Sequence, residues 1–399
     1  MPPLEDPGPG SEEETPRGRV QVAAPDGVLA VVPHLLGFHP SRSLVVLGVS
    51  GPRDQVTLAF RYDLPDPPDP DLAADIAEHA CGVLTRERIG AAILVGYGPA
   101  DLVSEAVEPL VAALLRAGLE IREVLRAEGG RYWSALCENA ACCPAEGVSF
   151  DPCSHPAAAM LNQAGLDAFP DRAALARTLE PAPGSAEVTR RATNRALRQI
   201  HQLLRTAQRD GLDPARSLAR AGRSEVRDAI DRYRSGAQIT DHDRLAFLAV
   251  LLCDLPVRDD AWARMEPAHK ERHLRLWTDV VTGAAPEFVP APASLLAFTA
   301  WQCGEGALAN IAVERALAAD PAYSLALLIA EAVQAGLPPS AARPPMTPDE
   351  VAASYAGPPS AADSTSADDG PLPGHGNVVS DSRLTGYGRP ADDDLRLAG

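Results

Sequence analysis

The chain has 399 residues, a formal net charge of −18 and a pI near 4.9. Apolar residues make up 46% of the sequence, enough for a sizeable core, and the length allows two domains. The acidic balance argues against a generally basic nucleic-acid coat protein and against a polybasic membrane-binding tail. The only lysine is Lys270 among 35 arginines, a bias that is typical of GC-rich coding.

The two ends of the chain have compositions that differ from the middle. Residues 1–22 and 338–399 are rich in Pro, Gly and acidic residues, which predicts disordered acidic tails. No apolar segment lies near the N-terminus, so we expect no signal peptide. The longest apolar-rich stretch, 245–255, is too short to span a bilayer. We therefore expect a cytoplasmic protein without membrane contact.

The region 23–152 has the pattern of an α/β domain. The run 43–49 is apolar and rich in valine, while 55–62 alternates polar and apolar residues, and the Gly/Pro turn between them predicts a hairpin. The remaining predicted elements are a helix over 71–88, a strand over 91–96, a helix over 99–118 and strands over 119–125 and 131–134. The order β-β-α-β-α-β-β predicts a mixed sheet flanked by helices.

The region 153–337 shows only helical periodicity, which predicts an all-α domain with short loops. The predicted helices cover 156–166, 171–179, 186–210, 214–234, 240–253, 257–282, 291–304, 306–319 and 322–335. Near the end, Ala309, Val313 and Ala316 match the second half of a tetratricopeptide unit in spacing. We therefore predict that the helical domain is partly tetratricopeptide-like.

Several separated blocks of sequence resemble the domain-of-unknown-function 4192 family, a group of uncharacterised actinobacterial proteins. The first blocks are VPHLLGFHP at 32–40 and SLVV at 43–46. The others are RYWS at 131–134, CENAACCPAEG at 137–147, VRDDAW at 257–262, GALAN at 306–310, ALAADP at 316–321 and YS at 323–324. The resemblance spans about residues 25 to 337. It implies an actinobacterial source and carries no activity, cofactor or catalytic residue.

A cysteine-rich segment is the first candidate site. Cys137, Cys142, Cys143, Cys153 and His155 fall within nineteen residues, and thiolates with an imidazole are good zinc ligands. However, the C-x4-C-C spacing lacks the usual C-x2-C pair, and adjacent cysteines rarely bind the same ion. Two other interpretations stay open: small buried apolar side chains in a tight loop, or a redox pair in a reducing compartment.

Two histidines on either side of a Gly-Phe pair form the second candidate. His34 and His39 are candidates for a general base or a ligand, with Asp63 at the end of the predicted hairpin as a carboxylate partner. An enzyme of unknown class would place such a site in the cleft between the two domains. The structural alternative is that Gly37 permits a positive φ and Phe38 fills the core.

The turn after the predicted strand 91–96 is a weaker candidate. The segment from Gly96 to Asp101 follows a buried strand and opens a helix, where α/β sheets bind anions on unpaired N–H groups. It contains neither a G-x-G-x-x-G nor a G-K-[ST] motif, so the signal for a ligand is weak.

The predicted helix over 186–210 carries arginines along one face. Residues 187–234 hold twelve arginines against six acids. The arginines that share this face, called the arginine face below, are Arg191, Arg195, Arg198, Arg205 and Arg209. Three interpretations are open: a nucleic-acid contact, docking to acidic residues of the same chain, or a solvated surface.

None of these patterns reaches the strength of a catalytic, metal or nucleotide motif. Our leading hypothesis is therefore a cytoplasmic, non-catalytic binding or regulatory module that makes protein contacts. The alternatives are an enzyme with a site in the interdomain cleft and nucleic-acid binding through the arginine face. Zinc is the one cofactor that the sequence suggests.

Overall fold

A computed structural model describes residues 24–51 and 55–355 of the chain. The strands are β1 Ser43–Ser50, β2 Gln55–Asp63, β3 Ala91–Tyr97, β4 Glu120–Glu128, β5 Arg131–Ser134 and β6 Val148–Ser149. The first helices are α1 Pro25–Leu36, α2 Pro70–Arg86, α3 Ala100–Arg116, α4 Pro156–Gln163, α5 Arg172–Arg177, α6 Ala186–Arg209 and α7 Pro214–Arg234. They are followed by α8 His242–Leu251, α9 Leu255–Ala263, α10 Lys270–Gly283, α11 Pro290–Cys303, α12 Gly306–Ala319, α13 Ser324–Gln334 and α14 Pro348–Ser354.

The six strands form one mixed sheet in the order β2-β1-β3-β4-β5-β6. The pair β3–β4 is parallel, and the other neighbouring pairs are antiparallel. The predicted hairpin is the pair β1–β2, whose register runs from Ser43 opposite Asp63 to Ser50 opposite Gln55. The prediction of an α/β domain with a mixed sheet is confirmed. The strand β6 was not predicted because two residues are too few to show alternation.

Both faces of the sheet are covered. The helices α2 and α3 pack on one face, and α1 packs on the other. The strand β1 is therefore buried along nearly its whole length, as its continuous apolar sequence requires.

The C-terminal region consists of helices, which confirms the second half of the predicted fold class. Its core includes the fully buried rings of Trp277 and Phe298. A turn of two residues, Gly304 and Glu305, joins α11 to α12 in a helical hairpin. The tetratricopeptide likeness of this hairpin stays a prediction. Within the described residues, none of the helices combines the length and the apolar character that a membrane crossing needs.

Two boundaries differ from the prediction. The helix predicted over 257–282 is two helices, α9 and α10, because Pro267 begins a 3₁₀ turn between them. The described residues also include a helix, α14, beyond position 338, where we predicted a tail. The helix α14 begins with a capping box in which Thr347 and Glu350 cap each other. The predicted tails over 1–22 and beyond 355 lie outside the described residues.

The segment that follows α1 anchors the sheet to the helical region. The Phe38 ring belongs to the apolar core of the helices and is almost fully buried. The His39 N–H donates to the Phe169 carbonyl at 2.9 Å, and the Phe169 N–H donates to the Gly37 carbonyl at 2.8 Å. Gly37 has φ of 78°, a conformation that glycine adopts without strain.

The block VRDDAW at 257–262 forms a buried ion-pair network in α9. The Asp260 carboxylate is fully buried and accepts hydrogen bonds from Arg227 and Arg264. Burial opposes its charge, but these arginines outweigh burial and keep the pKa of Asp260 below its ordinary value. Its neighbour Asp259 accepts a hydrogen bond from Tyr355, just after α14, at 2.6 Å. These bonds connect α9 to α7 and to the end of α14, so the charged residues of the block hold neighbouring helices together.

Candidate functional site

The strand β2 has one unpaired edge. It lies at the end of the sheet and pairs with β1 alone. Within the described residues, no backbone group outside β1 hydrogen-bonds to Gln55–Asp63. Every second residue of such a strand directs its N–H and C=O groups outward. The outer edge of β2 therefore presents a row of unpaired donors and acceptors.

A cavity of about 320 Å³ lies along this edge. Seven consecutive residues of β2, from Val56 to Tyr62, line it. Successive side chains of a strand point to opposite faces of the sheet. The cavity also touches Leu36 of α1, which covers one face of the sheet, and Val83 of α2, which covers the other, so it lies along the edge of β2. We call this cavity the edge cleft.

The helical region supplies the opposite wall of the edge cleft. The end of α11, the start of α12 and the segment after α13 contribute small residues, namely Gly304, Gly306, Ala307 and Gly336. Apolar side chains line other parts of the cleft, namely Leu35, Leu36, Val83, Trp301, Val333 and Leu337. The cleft is therefore an interdomain site, with a strand edge on one side and helix ends on the other.

A histidine bridges the two walls at the α2 side. His79 Nδ1 lies 2.6 Å from the Tyr62 hydroxyl, and its Nε2 lies 2.7 Å from the Gln334 carbonyl. Because a carbonyl only accepts, Nε2 carries the proton and Nδ1 accepts from the Tyr62 O–H. Burial raises the pKa of Tyr62, which keeps it a donor. Both ring nitrogens are thus occupied by the fold.

The other strong polar groups of the cleft are also satisfied by the protein. The buried Arg61 guanidinium pairs with Asp63, donates to the Ser43 hydroxyl at 2.7 Å and lies 5.4 Å from the centre of the Phe38 ring. The Trp301 indole N–H donates to the Leu337 carbonyl at 3.0 Å. A ligand in the edge cleft would therefore meet apolar side chains and the unpaired backbone of β2.

Comparison with protein families gives one match. A family model described as Domain of unknown function (DUF4192) matches residues 25–340. The chain belongs to this family. Comparison with curated proteins and with solved structures finds no match. Family membership confirms the resemblance in the sequence, and because the family is described by no activity, the function has to be argued from geometry.

In this DUF4192 chain, neither of the two candidate histidines lines the edge cleft. His39 lines a second cavity of about 340 Å³ at the carboxyl ends of β3 and β4, together with Tyr97 and Gly98 of the predicted 96–101 turn. Burial and the nearby His34 lower the pKa of His39. His34 Nδ1 is 2.6 Å from a backbone carbonyl, and Asp63 pairs with Arg61. The structure thus brings the two histidines together but gives Asp63 another partner.

Three of the five predicted metal ligands converge. The Sγ atoms of Cys137, Cys142 and Cys143 all lie within 4.8 Å of one another. We call this group the thiol cluster. Cys153 and His155 lie outside it. His155 Nδ1 instead accepts the N–H of Ala157 at 3.1 Å and caps α4.

One turn explains how two adjacent cysteines reach the same point. The Asn139 carbonyl accepts the N–H of Cys142 at 2.9 Å and of Cys143 at 2.8 Å, which folds the loop back toward Cys137. Hydrogen bonds from Cys143 and from the Asn139 backbone lower the pKa of Cys137, and the interaction with Cys137 raises the pKa of Cys143 to about 11. The three thiols are therefore close enough to influence one another's protonation.

The arginine face divides into two halves along α6. Arg191 pairs with Glu187 of the same helix, and Arg195 pairs with Asp243 of α8. The remaining members, Arg198, Arg205 and Arg209, are exposed and form no ion pair with the described residues. The first half is thus paired with acids of the same chain and the second half faces solvent, and the role of the arginine face stays a prediction.

Sequence reasoning missed the edge cleft. The alternation in 55–62 predicts a strand with one solvated face, but it does not show which strand ends the sheet or what lies beside it. His79, Tyr62 and Trp301 carry no motif, and their positions depend on how the helical region folds back. The sequence does show a nine-residue strand with apolar side chains, but only the fold places that strand at the edge of the sheet.

Proposed function

We propose that the protein is a non-catalytic binding module that takes an extended peptide segment of a partner protein as an additional strand on β2. One observation carries the proposal: seven consecutive residues of an unpaired edge strand line a single cavity. Strand addition uses main-chain hydrogen bonds for affinity and neighbouring pockets for alternate side chains. Both features are present in the edge cleft.

The dimensions of the cleft suit a short strand. A seven-residue stretch of β2 is about 23 Å long, and an added strand would lie about 4.8 Å from it. The opposite wall leaves room there because Gly304, Gly306 and Ala307 carry little or no side chain. We expect a peptide with small or apolar side chains, since the cleft offers apolar contacts at Leu58 and Phe60.

The backbone edge also argues against a compact apolar ligand. Such a molecule would displace water from the outward N–H and C=O groups of β2 without replacing their hydrogen bonds. A buried backbone group without a partner costs about 1–3 kcal/mol. A peptide strand supplies those partners, so it is the ligand class that fits both the apolar walls and the edge.

Selection of phage-displayed random peptides on the full chain tests the proposal. We expect a selected peptide to slow amide hydrogen exchange within Gln55–Asp63 and to change the fluorescence of Trp301. The variant Ala307→Phe narrows the cleft from the helical side and should weaken binding about tenfold or more, roughly 1.4 kcal/mol. The matched control is Ala322→Phe, which places the same side chain on an exposed turn.

Three outcomes would contradict strand addition. One is a selected peptide that leaves exchange in β2 unchanged. Another is equal affinity for the wild type and Ala307→Phe. The third is a small apolar molecule that copurifies with the wild-type chain, is detected by native mass spectrometry and is missing from Ala307→Phe. That result would assign the edge cleft to a small apolar ligand instead.

A second candidate function is phosphate contact through the solvated half of the arginine face. Arg198, Arg205 and Arg209 are exposed, and arginine is suited to phosphate recognition. A mobility-shift titration with duplex DNA and with RNA over a range of salt concentrations tests it. Binding that weakens as the salt concentration increases and is lost in the double variant R198E/R205E would support a nucleic-acid contact. If neither nucleic acid shifts in mobility at low salt, this candidate function is contradicted.

We also propose that the protein works in the cytoplasm of an actinobacterium. The source is what the family resemblance implies, and the arginine bias of the sequence fits it. The compartment rests on the cysteines, because all seven lie in the described residues and none is joined by a disulfide, as in reducing compartments. Fractionation of the native host with an antibody to this chain measures the location, and recovery outside the cytoplasm would contradict it.

A further inference from the structure

We propose that the thiol cluster, Cys137, Cys142 and Cys143, is a zinc-binding site. The proposal is independent of the edge cleft, which involves none of these residues. It rests on the convergence of three thiols, on the turn that holds them together and on the lack of an apolar core in the loop that carries them.

The distances suit a single ion. Zinc binds thiolates at about 2.3 Å, so two sulfurs of a tetrahedral site lie about 3.8 Å apart. The three Sγ atoms already lie within 4.8 Å of one another. This separation is close to the one that a single central ion requires, and rotation about the cysteine side-chain bonds can shorten it.

The backbone of the loop is fixed around the cluster. The Asn139 carbonyl holds the N–H groups of both adjacent cysteines, and the Asn139 side chain accepts the N–H of Ala141 at 3.0 Å. This double turn directs Cys142 and Cys143 to the same side as Cys137. Adjacent cysteines usually point in different directions, but in this turn Cys142 and Cys143 both reach the cluster.

The ends of the loop are attached to the sheet. The Trp133 indole on β5 donates to the Ala145 carbonyl at 3.0 Å, and the Arg126 guanidinium lies 3.6 Å from the centre of its ring. Gly147 allows this approach, because a Cβ there would lie 2.5 Å from the Trp133 ring and because its φ is 80°. The cysteines thus sit on a loop held at both ends.

The loop has no apolar core of its own. Across residues 135–146 no side chain is buried, and Leu136 is 52% exposed. Cys142 is exposed, and Cys137 and Cys143 are only half-buried. The interpretation of the cysteines as buried apolar side chains therefore does not account for their positions. A metal ion would stabilise the loop in place of apolar packing.

The site provides three protein ligands and leaves one tetrahedral position for water or another exchangeable ligand. His155 is committed to the cap of α4, and Cys153 is not within the cluster. Three thiolates with an open fourth position form a soft donor set that zinc accepts readily. Binding displaces the thiol protons, so the affinity should increase with pH.

Metal analysis of the full chain, purified without a chelator, tests the assignment. We expect about one zinc per chain in the wild type and in Cys153→Ser, which alters an exposed cysteine outside the cluster. Cys137→Ser should lose nearly all of the zinc. To separate loss of a ligand from misfolding, the circular dichroism spectrum and thermal midpoint of Cys137→Ser are compared with those of Cys153→Ser.

A second measurement uses the metal-free wild-type chain and cobalt as the probe. We expect cobalt to give the visible absorption of a tetrahedral thiolate site at one equivalent, zinc to abolish that absorption, and zinc to slow proteolysis within 135–147. The proposal is overturned if cobalt gives no thiolate spectrum, if Cys153→Ser loses zinc as completely as Cys137→Ser, or if the purified chain carries a disulfide between two cluster cysteines.

Discussion

At the residue scale, one buried histidine gives the folded state a pH dependence. His273 on α10 is almost fully buried, and its Nε2 has no hydrogen-bond partner among the described residues. Burial, followed by the nearby Arg234 and His269, lowers the pKa of His273 to about 4. The folded state thus holds this imidazole neutral, whereas the unfolded chain protonates it near its ordinary value of about 6.5.

We predict that the free energy of unfolding falls by about 2 kcal/mol through His273 between pH 7 and pH 5. The stability that depends on a neutral His273 is complete above the pKa of the histidine in the unfolded chain. It decreases as the pH falls below that value, and the decrease ends below the pKa of His273 in the folded state. Urea unfolding at pH 7 and at pH 5 measures this difference in the free energy of unfolding. The variant His273→Leu should lack the part of the difference that comes from His273. His201→Gln, an exposed histidine on α6, is the control. An unchanged slope in His273→Leu would contradict the prediction.

At the element scale, a glycine in β3 permits the sheet and α3 to pack closely. A Cβ on Gly96 would lie 2.2 Å from Val103 Cγ1, so the helix side chain occupies the space that a side chain would need. The sequence offered Gly96 as part of an anion-binding turn. The structure gives it a packing role and leaves Gly98 as the glycine of that turn that lines the second cavity.

We predict that Gly96→Ala lowers the free energy of unfolding by about 1–3 kcal/mol, the usual cost of overpacking. The double variant Gly96→Ala/Val103→Ala should recover part of this loss, because the smaller helix residue makes room. Urea denaturation of the wild type, the two single variants and the double variant measures the coupling energy between Gly96 and Val103. Gly90→Ala is the control, since a Cβ there meets nothing within 4 Å. Strict additivity of the two changes would argue against the contact.

The periodicity of apolar residues predicted most of the helices and strands, because both periods reflect which side chains of an element are buried. The exceptions have local causes too. Pro267 divided a predicted helix, and a capping box at Thr347 began a helix inside a segment whose composition suggested a tail. Composition averages over many residues, so a seven-residue helix with a good cap does not change it.

At the scale of the whole molecule, Phe38 joins the sheet to the helical region. Its ring lies in the core of the helices, while the elements that precede and follow it in the chain are α1, which covers the sheet, and β1, a strand of the sheet. The sequence did predict that Phe38 fills a core and that Gly37 takes a positive φ. It did not show that the core belongs to the other half of the molecule.

We predict that Phe38→Ala lowers the free energy of unfolding by about 3–5 kcal/mol and separates the unfolding of the two halves. Far-ultraviolet circular dichroism and tryptophan fluorescence should then give different urea midpoints, because three of the four tryptophans, Trp262, Trp277 and Trp301, lie in the helical region and Trp133 alone lies in the sheet. Leu115→Ala, at a position 60% exposed on α3, is the control. Coincident transitions in Phe38→Ala would show that other contacts join the halves.

The edge cleft was not predicted, and the thiol cluster was predicted only as part of a set of five candidate ligands, for a common physical reason. The edge cleft depends on which strand ends the sheet and on where residues more than 230 positions later fold back. The thiol cluster depends on a turn at Asn139 that brings neighbouring side chains to one point. Residue spacing reports local periodicity, and neither of these features is periodic.

The position of β2 has a consequence for synthesis of the chain. The strand ends at Asp63, whereas α11, the first helix of the opposite wall, begins at Pro290. At 5–20 residues per second, the ribosome needs roughly 10–45 s to make the intervening chain. During that interval the outer edge of β2 has no wall beside it, so two nascent chains on neighbouring ribosomes can pair through it. The late helices therefore also limit how long this edge is open to other copies.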